Sequence, residues 1–190
     1  MVVVPAKGGS TGVPGKMLRM LAGRPLLQWT LDTVAELDGA RVVVTTEDAA
    51  IASFCRLRGV EVVERPAKLS APDVAVSEPV AHAVETLDHK GLVLVVQPTC
   101  PLVSAATLRA LAAAYDHTMG RVIAVSDSHR AVGANGEPLV RRDRNRQHRE
   151  PLQVETGVQL ARADMWRVRA PVKGTVGIPA AEAVDIDDLG

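Results

Sequence analysis

Aromatic side chains are nearly absent: one Phe, one Tyr and two Trp in 190 residues. A nucleic-acid platform that stacks successive bases is therefore poorly supplied. Cysteine is almost as scarce. Only Cys55 and Cys100 occur, and neither sits at metal-ligand spacing from a histidine. That excludes a disulfide framework and fits a reducing, cytoplasmic setting. No apolar run approaches the roughly 20 residues a membrane span needs. Lys7 and nearby glycines interrupt the N-terminus before the apolar core of a secretory signal could form. Charge of either sign is not in excess, with 22 Lys+Arg against 22 Asp+Glu. Nothing in that balance attracts nucleic acid or membrane, and neither is expected as a partner.

What is present is a large aliphatic supply. Hydrophobic residues make up 47%, enough for a core of Val, Leu, Ile and Ala. The length suits one domain over 1–190. Met1 to Val4 reads as a buried strand. Leu26, Leu27, Thr30, Leu31, Val34 and Leu37 recur at helical spacing after Pro25. Arg41 to Thr46 is a second β-branched run, and Asp48 can cap a helix through about Arg58. A strand over Val60 to Val63, a helix over Val74 to Leu87 and an apolar strand over Gly91 to Val96 follow. Ser104 caps a helix from Ala105 to Tyr115. Arg121 to Val125 and Val154 to Ala161 read as further strands. Strands alternating with helices predict a doubly wound, mostly parallel sheet.

The stretch from Arg130 to Pro151 breaks this rhythm. It holds ANGEP, a turn signal, and RRDRNRQHRE, with five arginines in nine residues. A solvated loop or arm is the commoner meaning of such a run. The other reading is a patch for an anionic ligand or a subunit contact. The chain closes on VDIDDLG, with Asp185 and Asp187 two apart. On an extended backbone these carboxylates point the same way and can converge on one cation.

The first strand leads into PAKGGSTGVPGK. A loop after a first parallel strand lies at the carboxyl edge of the sheet, where open α/β folds bind ligands. Glycines let backbone N–H groups approach an anion, and Lys7 and Lys16 add point charges. The spacing is neither GxxxxGK[ST] nor GxGxxG. An ordinary Gly-rich turn and a phosphate-binding turn both remain open from spacing alone.

VVVPAKGGSTGVPGKMLRMLAGRPLLQWTLD resembles the N-terminal signature of the acylneuraminate cytidylyltransferases, the CMP-sialic acid synthetases. ERPAKLSAPDVAVS, VVQPTCPLVSAATL, RNRQ, VETGVQLA and AVDIDDL resemble later motifs of that family in the same order. The resemblance implies a Rossmann-like nucleotidyltransferase fold with a small arm over 130–160 used in dimerisation. It implies an Mg²⁺-dependent enzyme, homodimeric, that transfers CMP from CTP to an acidic acceptor and releases pyrophosphate. By motif position Ala6, Lys7, Gly8, Gly9, Ser10 and Lys16 fall at the triphosphate, and Arg65, Ala75 and Ser77 at the cytidine. Gln97, Arg146, Gln147 and Thr156 fall on the acceptor side. Asp185 and Asp187 fall at the metal, with Lys7, Lys16 and Asp187 as the catalytic groups.

The chain departs from that pattern at Lys7 (Arg in the family), Met17 (Asn), Val103 (Arg) and Thr156-Gly157-Val158-Gln159-Leu160 (NGAIY). The last difference weakens the sugar half of the resemblance. A nonulosonate-like 2-keto sugar acid and a small phosphonate therefore compete as acceptors. A noncatalytic nucleotide binder is a third reading. Retention of both lysines and both terminal aspartates weighs against it.

Overall fold

The computed structural model describes residues 1–9, 12–116, 118, 120–128, 152–168 and 172–177. Its organising element is β1 (Val2–Pro5), whose three valines are all buried. It pairs in parallel with β4 (Val42–Thr46) on one side and β6 (Leu92–Val96) on the other. Beyond β4 lies β5 (Glu61–Glu64), also parallel. Beyond β6 come β8 (Leu152–Arg162), β7 (Arg121–Ser128) and β9 (Val172–Gly177), giving the order β5-β4-β1-β6-β8-β7-β9. β8 is antiparallel to both neighbours, while β9 is parallel to β7. Six strands thus run one way and β8 alone opposes them. The expected mostly parallel sheet is present.

Alternation along each strand sends successive side chains to opposite faces. Val2, Val4, Val44, Leu94, Val96 and Leu160 pack with α1 (Leu26–Ala35), α2 (Ala49–Arg56) and α4 (Ala105–Ala114). Val3, Val43, Val63, Val93, Val95 and Ala161 pack with α3 (Ser77–Thr86) and α5 (Ala163–Arg167). Helices cover both faces, so the sheet is doubly wound. Trp166 is fully buried on the second face, with the Arg121 guanidinium 5.2 Å from its ring centre.

The caps read from the sequence are made. Asp48 accepts from the N–H groups of Ala50 and Ile51, and Ser104 accepts from that of Thr107. Helix α3 starts at Ser77 rather than Val74. Pro79 lacks the N–H that a longer helix would bond to Ala75, so the proline is confined to the first turn. His82 and His89 are half-buried, and His89 Nε2 donates to the Leu92 carbonyl at 3.2 Å.

Besides strand β9, two elements escape the sequence patterns. One is the one-turn helix α5. The other is a hairpin of β2 (Met20–Leu21) and β3 (Arg24–Pro25). Trp29 Nε1 donates to the Leu21 carbonyl at 3.0 Å, and the Arg24 guanidinium lies 5.0 Å from the Trp29 ring centre, fastening the hairpin to α1. Its two turn residues both have positive φ, Ala22 at 47° and Gly23 at 84°. Alanine carries a steric penalty there that asparagine tolerates better. Ala22→Asn should raise unfolding stability by about 0.5–1 kcal/mol, measured by urea denaturation.

Candidate functional site

Strands β1, β4, β5 and β6 all discharge at one edge. The chain passes outward from β1 to β4 and β5, then returns to β6 on the other flank of β1. The reversal opens a crevice at the carboxyl ends of β1 and β6, where open α/β sheets take ligands. Four loops meet at that edge. They are residues 6–16 after β1, 47–48 after β4, 65–76 after β5 and 97–103 after β6. Because β8 is inverted, its first half reaches the same edge.

The opening turn begins with buried Ala6, whose N–H donates to the Thr45 carbonyl at 3.0 Å. Lys7 and Gly8 are half-buried and Gly9 is exposed. The turn re-enters the protein at buried Lys16, the first residue of the short 3₁₀ turn Lys16–Leu18. Both predicted lysines thus belong to the crevice loop. Met17 is buried in the core beneath it, which gives a packing reason for an apolar side chain there. Ser10 lies outside the described residues.

Gly8 is fixed from two sides by the consecutive acids that follow β4. Its N–H donates to Glu47 Oε1 at 2.8 Å. A Cβ on Gly8 would stand 2.3 Å from Asp48 Oδ2 and 2.6 Å from Asp48 Cβ. The Gly8 N–H is therefore engaged by a carboxylate, and glycine is required there by close approach.

Glu47 also binds Arg65. Arg65 Nε and Nη2 donate to Glu47 Oε2 at 3.1 and 2.9 Å, and Ser70 Oγ donates to the same oxygen at 2.5 Å. Arg65 Nη1 donates to the Thr45 carbonyl at 3.1 Å, and Nη2 reaches the Ala6 carbonyl at 3.5 Å. The Arg65 side chain is 2% exposed and that of Glu47 14%. Burial raises the Glu47 carboxyl, but the Ser70 hydroxyl, the Gly8 N–H and the Arg65 charge outweigh it. Its pKa falls below the ordinary value. Burial lowers the Arg65 pKa despite the opposing pull of Glu47.

The motif pattern points to Arg65 and not to Glu47 or Ser70. The available signal was the acid pair Glu47-Asp48 directly after a buried strand, an arrangement that puts carboxylates on the carboxyl edge.

On the other flank, Gln97 follows β6 half-buried, and its N–H donates to the Gly157 carbonyl at 2.9 Å. The Gly157 N–H donates to Cys100 Sγ at 3.2 Å. A Cβ at Gly157 would meet Gln97 Cβ at 2.6 Å and Cys100 Sγ at 3.0 Å. Gln97 and Gly157 are thus brought together, with Thr156 the preceding residue of β8. Ser77 is buried at the start of α3, with Ala75 exposed just before it. Val103 is buried in the core. Arg146, Gln147, Asp185 and Asp187 lie outside the described residues, as does 130–151 of the expected arm. Residues 152–160 of that segment are strand β8. β7 and β8 are still paired at Ser128 and Leu152, at the crevice edge. Among the described residues no group of three or more His, Cys, Asp or Glu is placed to hold a metal, and no helix is long and apolar enough to cross a membrane. An apolar cavity of about 390 Å³ lined by Met1, Leu37, Leu92, Leu94 and Leu108 opens at the opposite edge and shares none of these groups.

With this geometry in view, the cytidylyltransferase family model matches residues 1–160. The chain belongs to the cytidylyltransferase family. Within the family it is similar to the 3-deoxy-manno-octulosonate cytidylyltransferase of Marinobacter nauticus, at 47% identity over 62 residues, 33% of this chain and 24% of that protein. The corresponding protein of Halorhodospira halophila is 46% identical over 72 residues, 38% of this chain and 26% of that one. The matched stretch therefore spans about a quarter of each curated relative. A solved CMP:2-keto-3-deoxy-manno-octonic acid synthetase complexed with CTP superposes with a TM-score of 0.75 at 14% identity. That match covers 98% of this chain and 92% of the other. The shared fold is the α/β nucleotidyltransferase fold of the family.

Breaking the Glu47–Arg65 pair leaves a buried cation without its partner. Glu47→Ala should cost about 3–5 kcal/mol in chemical denaturation, while Glu64→Ala, which breaks a pair between two exposed side chains, should cost about 1 kcal/mol or less. The lowered Glu47 pKa also sets a sign with pH. Its contribution is present above the ordinary carboxyl value of 4.5 and is lost as pH falls through the lower folded-state value. Glu47→Gln should flatten the loss of Tm between about pH 5 and about pH 3.

Proposed function

We propose that the chain is an Mg²⁺-dependent cytidylyltransferase that transfers CMP from CTP to a 2-keto sugar acid and releases pyrophosphate. The observation that carries this reading is the glycine-rich, two-lysine turn at the sheet's switch point, in a chain whose family match runs through it. Lys7 and Lys16 neutralise the triphosphate oxygens and the departing pyrophosphate. Arg65, Ala75 and Ser77 form the cytidine side, Arg65 from beneath the turn. Gln97, Thr156, Arg146 and Gln147 form the acceptor side, with the arginines matched to a carboxylate.

The reaction joins the acceptor hydroxyl oxygen to the α-phosphorus. The bond from that phosphorus to the bridging oxygen breaks, and pyrophosphate leaves with the electron pair. The hydroxyl proton passes to solvent. Positioning and charge neutralisation suffice, so no covalent nucleophile is required.

The donor chemistry fits magnesium, because Asp185 and Asp187 are hard oxygen ligands two positions apart. When bound there, Mg²⁺ supplies charge neutralisation on the phosphate oxygens. Reach permits the placement. Strand β9 points toward the crevice edge and ends at Gly177, four strand positions from β1, or about 19 Å. Asp185 lies eight residues later (185 − 177), an extended span of up to about 28 Å.

The acceptor class rests on the named activity of the relatives, 3-deoxy-manno-octulosonate cytidylyltransferases. A nonulosonate follows from the acylneuraminate resemblance, and a small phosphonate is the alternative supported by the loss of NGAIY. The homodimer, built through the arm, and the cytoplasmic location belong to the same proposal.

Pyrophosphate release should be followed with CTP, MgCl₂ and, in turn, 2-keto-3-deoxy-manno-octonate, N-acetylneuraminate and a small phosphonate. Release is expected with a sugar acid, and release with the phosphonate alone would reassign the acceptor. CTP binding without turnover on any acid would favour a nucleotide-binding protein. Lys16→Ala should lower kcat/KM for CTP by about 10²–10³. Arg146→Ala should raise the acceptor KM far more than the CTP KM.

A further inference from the structure

We infer that Glu47 is a positioning residue for the nucleotide: its carboxylate presets the glycine-rich turn, and Arg65 serves as its counter-ion. The inference rests on the CTP reading above and adds a residue that neither the motif resemblance nor the family match assigns.

Three observations converge on it. First, Glu47 is the only residue described here that bonds the backbone of Gly8 in the turn, and it does so with a charged acceptor at 2.8 Å. Second, the other carboxylate oxygen is saturated by two Arg65 N–H groups and the Ser70 hydroxyl. Those contacts hold the carboxylate at the mouth of β4, so it cannot swing away from the turn without breaking them. Third, Asp48 closes the space above the Gly8 Cα. The turn is clamped at one residue by a bond on its N–H and a wall against its Cα.

Electrostatics explains why the clamp needs both charges. A lone carboxylate beside a triphosphate site would repel the ligand. Arg65, paired with it and nearly excluded from solvent, cancels that charge locally. The pair leaves Lys7 and Lys16 as the cations of the turn itself. Because the Gly8 N–H already donates to Glu47, its role is to fix the path of the chain that carries Lys7. A turn ordered in advance loses less freedom when the ligand arrives, so the clamp acts on CTP affinity.

The test compares wild type with Glu47→Gln, which keeps shape and an acceptor oxygen but removes the charge. Ser70→Ala serves as a milder second variant that removes a hydroxyl bonded to the carboxylate and, at 2.8 Å, to Arg65 Nε. Each is confirmed folded by circular dichroism. CTP affinity is then measured by calorimetry with MgCl₂, and exchange of the Gly8 amide proton by NMR without ligand. Glu47→Gln should weaken CTP binding about tenfold to a hundredfold, and Ser70→Ala about three- to tenfold. Gly8 exchange should accelerate in both, and the acceptor KM should stay within about twofold in steady-state assays. A merely structural role would lower Tm yet leave CTP affinity intact. Wild-type binding of CTP with both variants within twofold would overturn the inference and leave the CTP reading standing. A wild-type chain that binds no CTP would overturn both.

Discussion

Everything at the functional edge depends on parallel pairing of β1 with strands on both sides. A strand of buried valines held between β4 and β6 has no free edge and one direction. Its neighbours must then discharge their loops at the same end as β1. The outward path to β4 and β5 and the return to β6 split those loops around a single crevice. The opening turn, the Glu47-Asp48 pair, Arg65 and Gln97 meet there for that reason, though they are scattered over 92 positions of the chain (97 − 5). The position of the crevice follows from sheet direction before any side chain is considered.

The two flanks of the crevice are built on different physics. On the β4–β5 flank the contacts are ionic: Glu47, Arg65 and Ser70 form a closed set around one carboxylate. On the β6–β8 flank they are steric and backbone-based. The Gln97 N–H meets the Gly157 carbonyl, and Gly157 lies too close to Gln97 and Cys100 for any side chain of its own. Charge sets the β4–β5 flank, and close packing sets the β6–β8 flank. Substitutions at Met17 and Val103 sit in the core beneath these flanks, so they change what supports the crevice while leaving its rim to other residues.

Much of this was legible in the residue order. The valine runs at β1, β4 and β6, the caps Asp48 and Ser104, and the glycine-lysine turn each carry a local physical signal. Tertiary contacts left no such trace. Glu47 reads as an ordinary acid after a strand, and only folding brings the Gly8 N–H and the Arg65 guanidinium onto it. The hairpin at Met20–Pro25 is too short for alternation to show, and it holds because Trp29 and Arg24 pin it to α1. Helix α5 is a single turn stabilised by burial of Trp166, which no helical period over five residues could reveal. Pro79 moved the start of α3 for a reason visible in the sequence, a missing donor.

The inverted strand β8 has a consequence for how such a protein can diversify. Its antiparallel pairing with β7 closes a hairpin whose stem, Ser126 to Ser128 against Leu152 to Val154, is zipped independently of what lies between. Lengthening or rewriting the connecting residues costs little chain entropy once the stem is formed. The residues between Ser128 and Leu152 can therefore change in length and sequence while β1, half a sheet away, keeps its register.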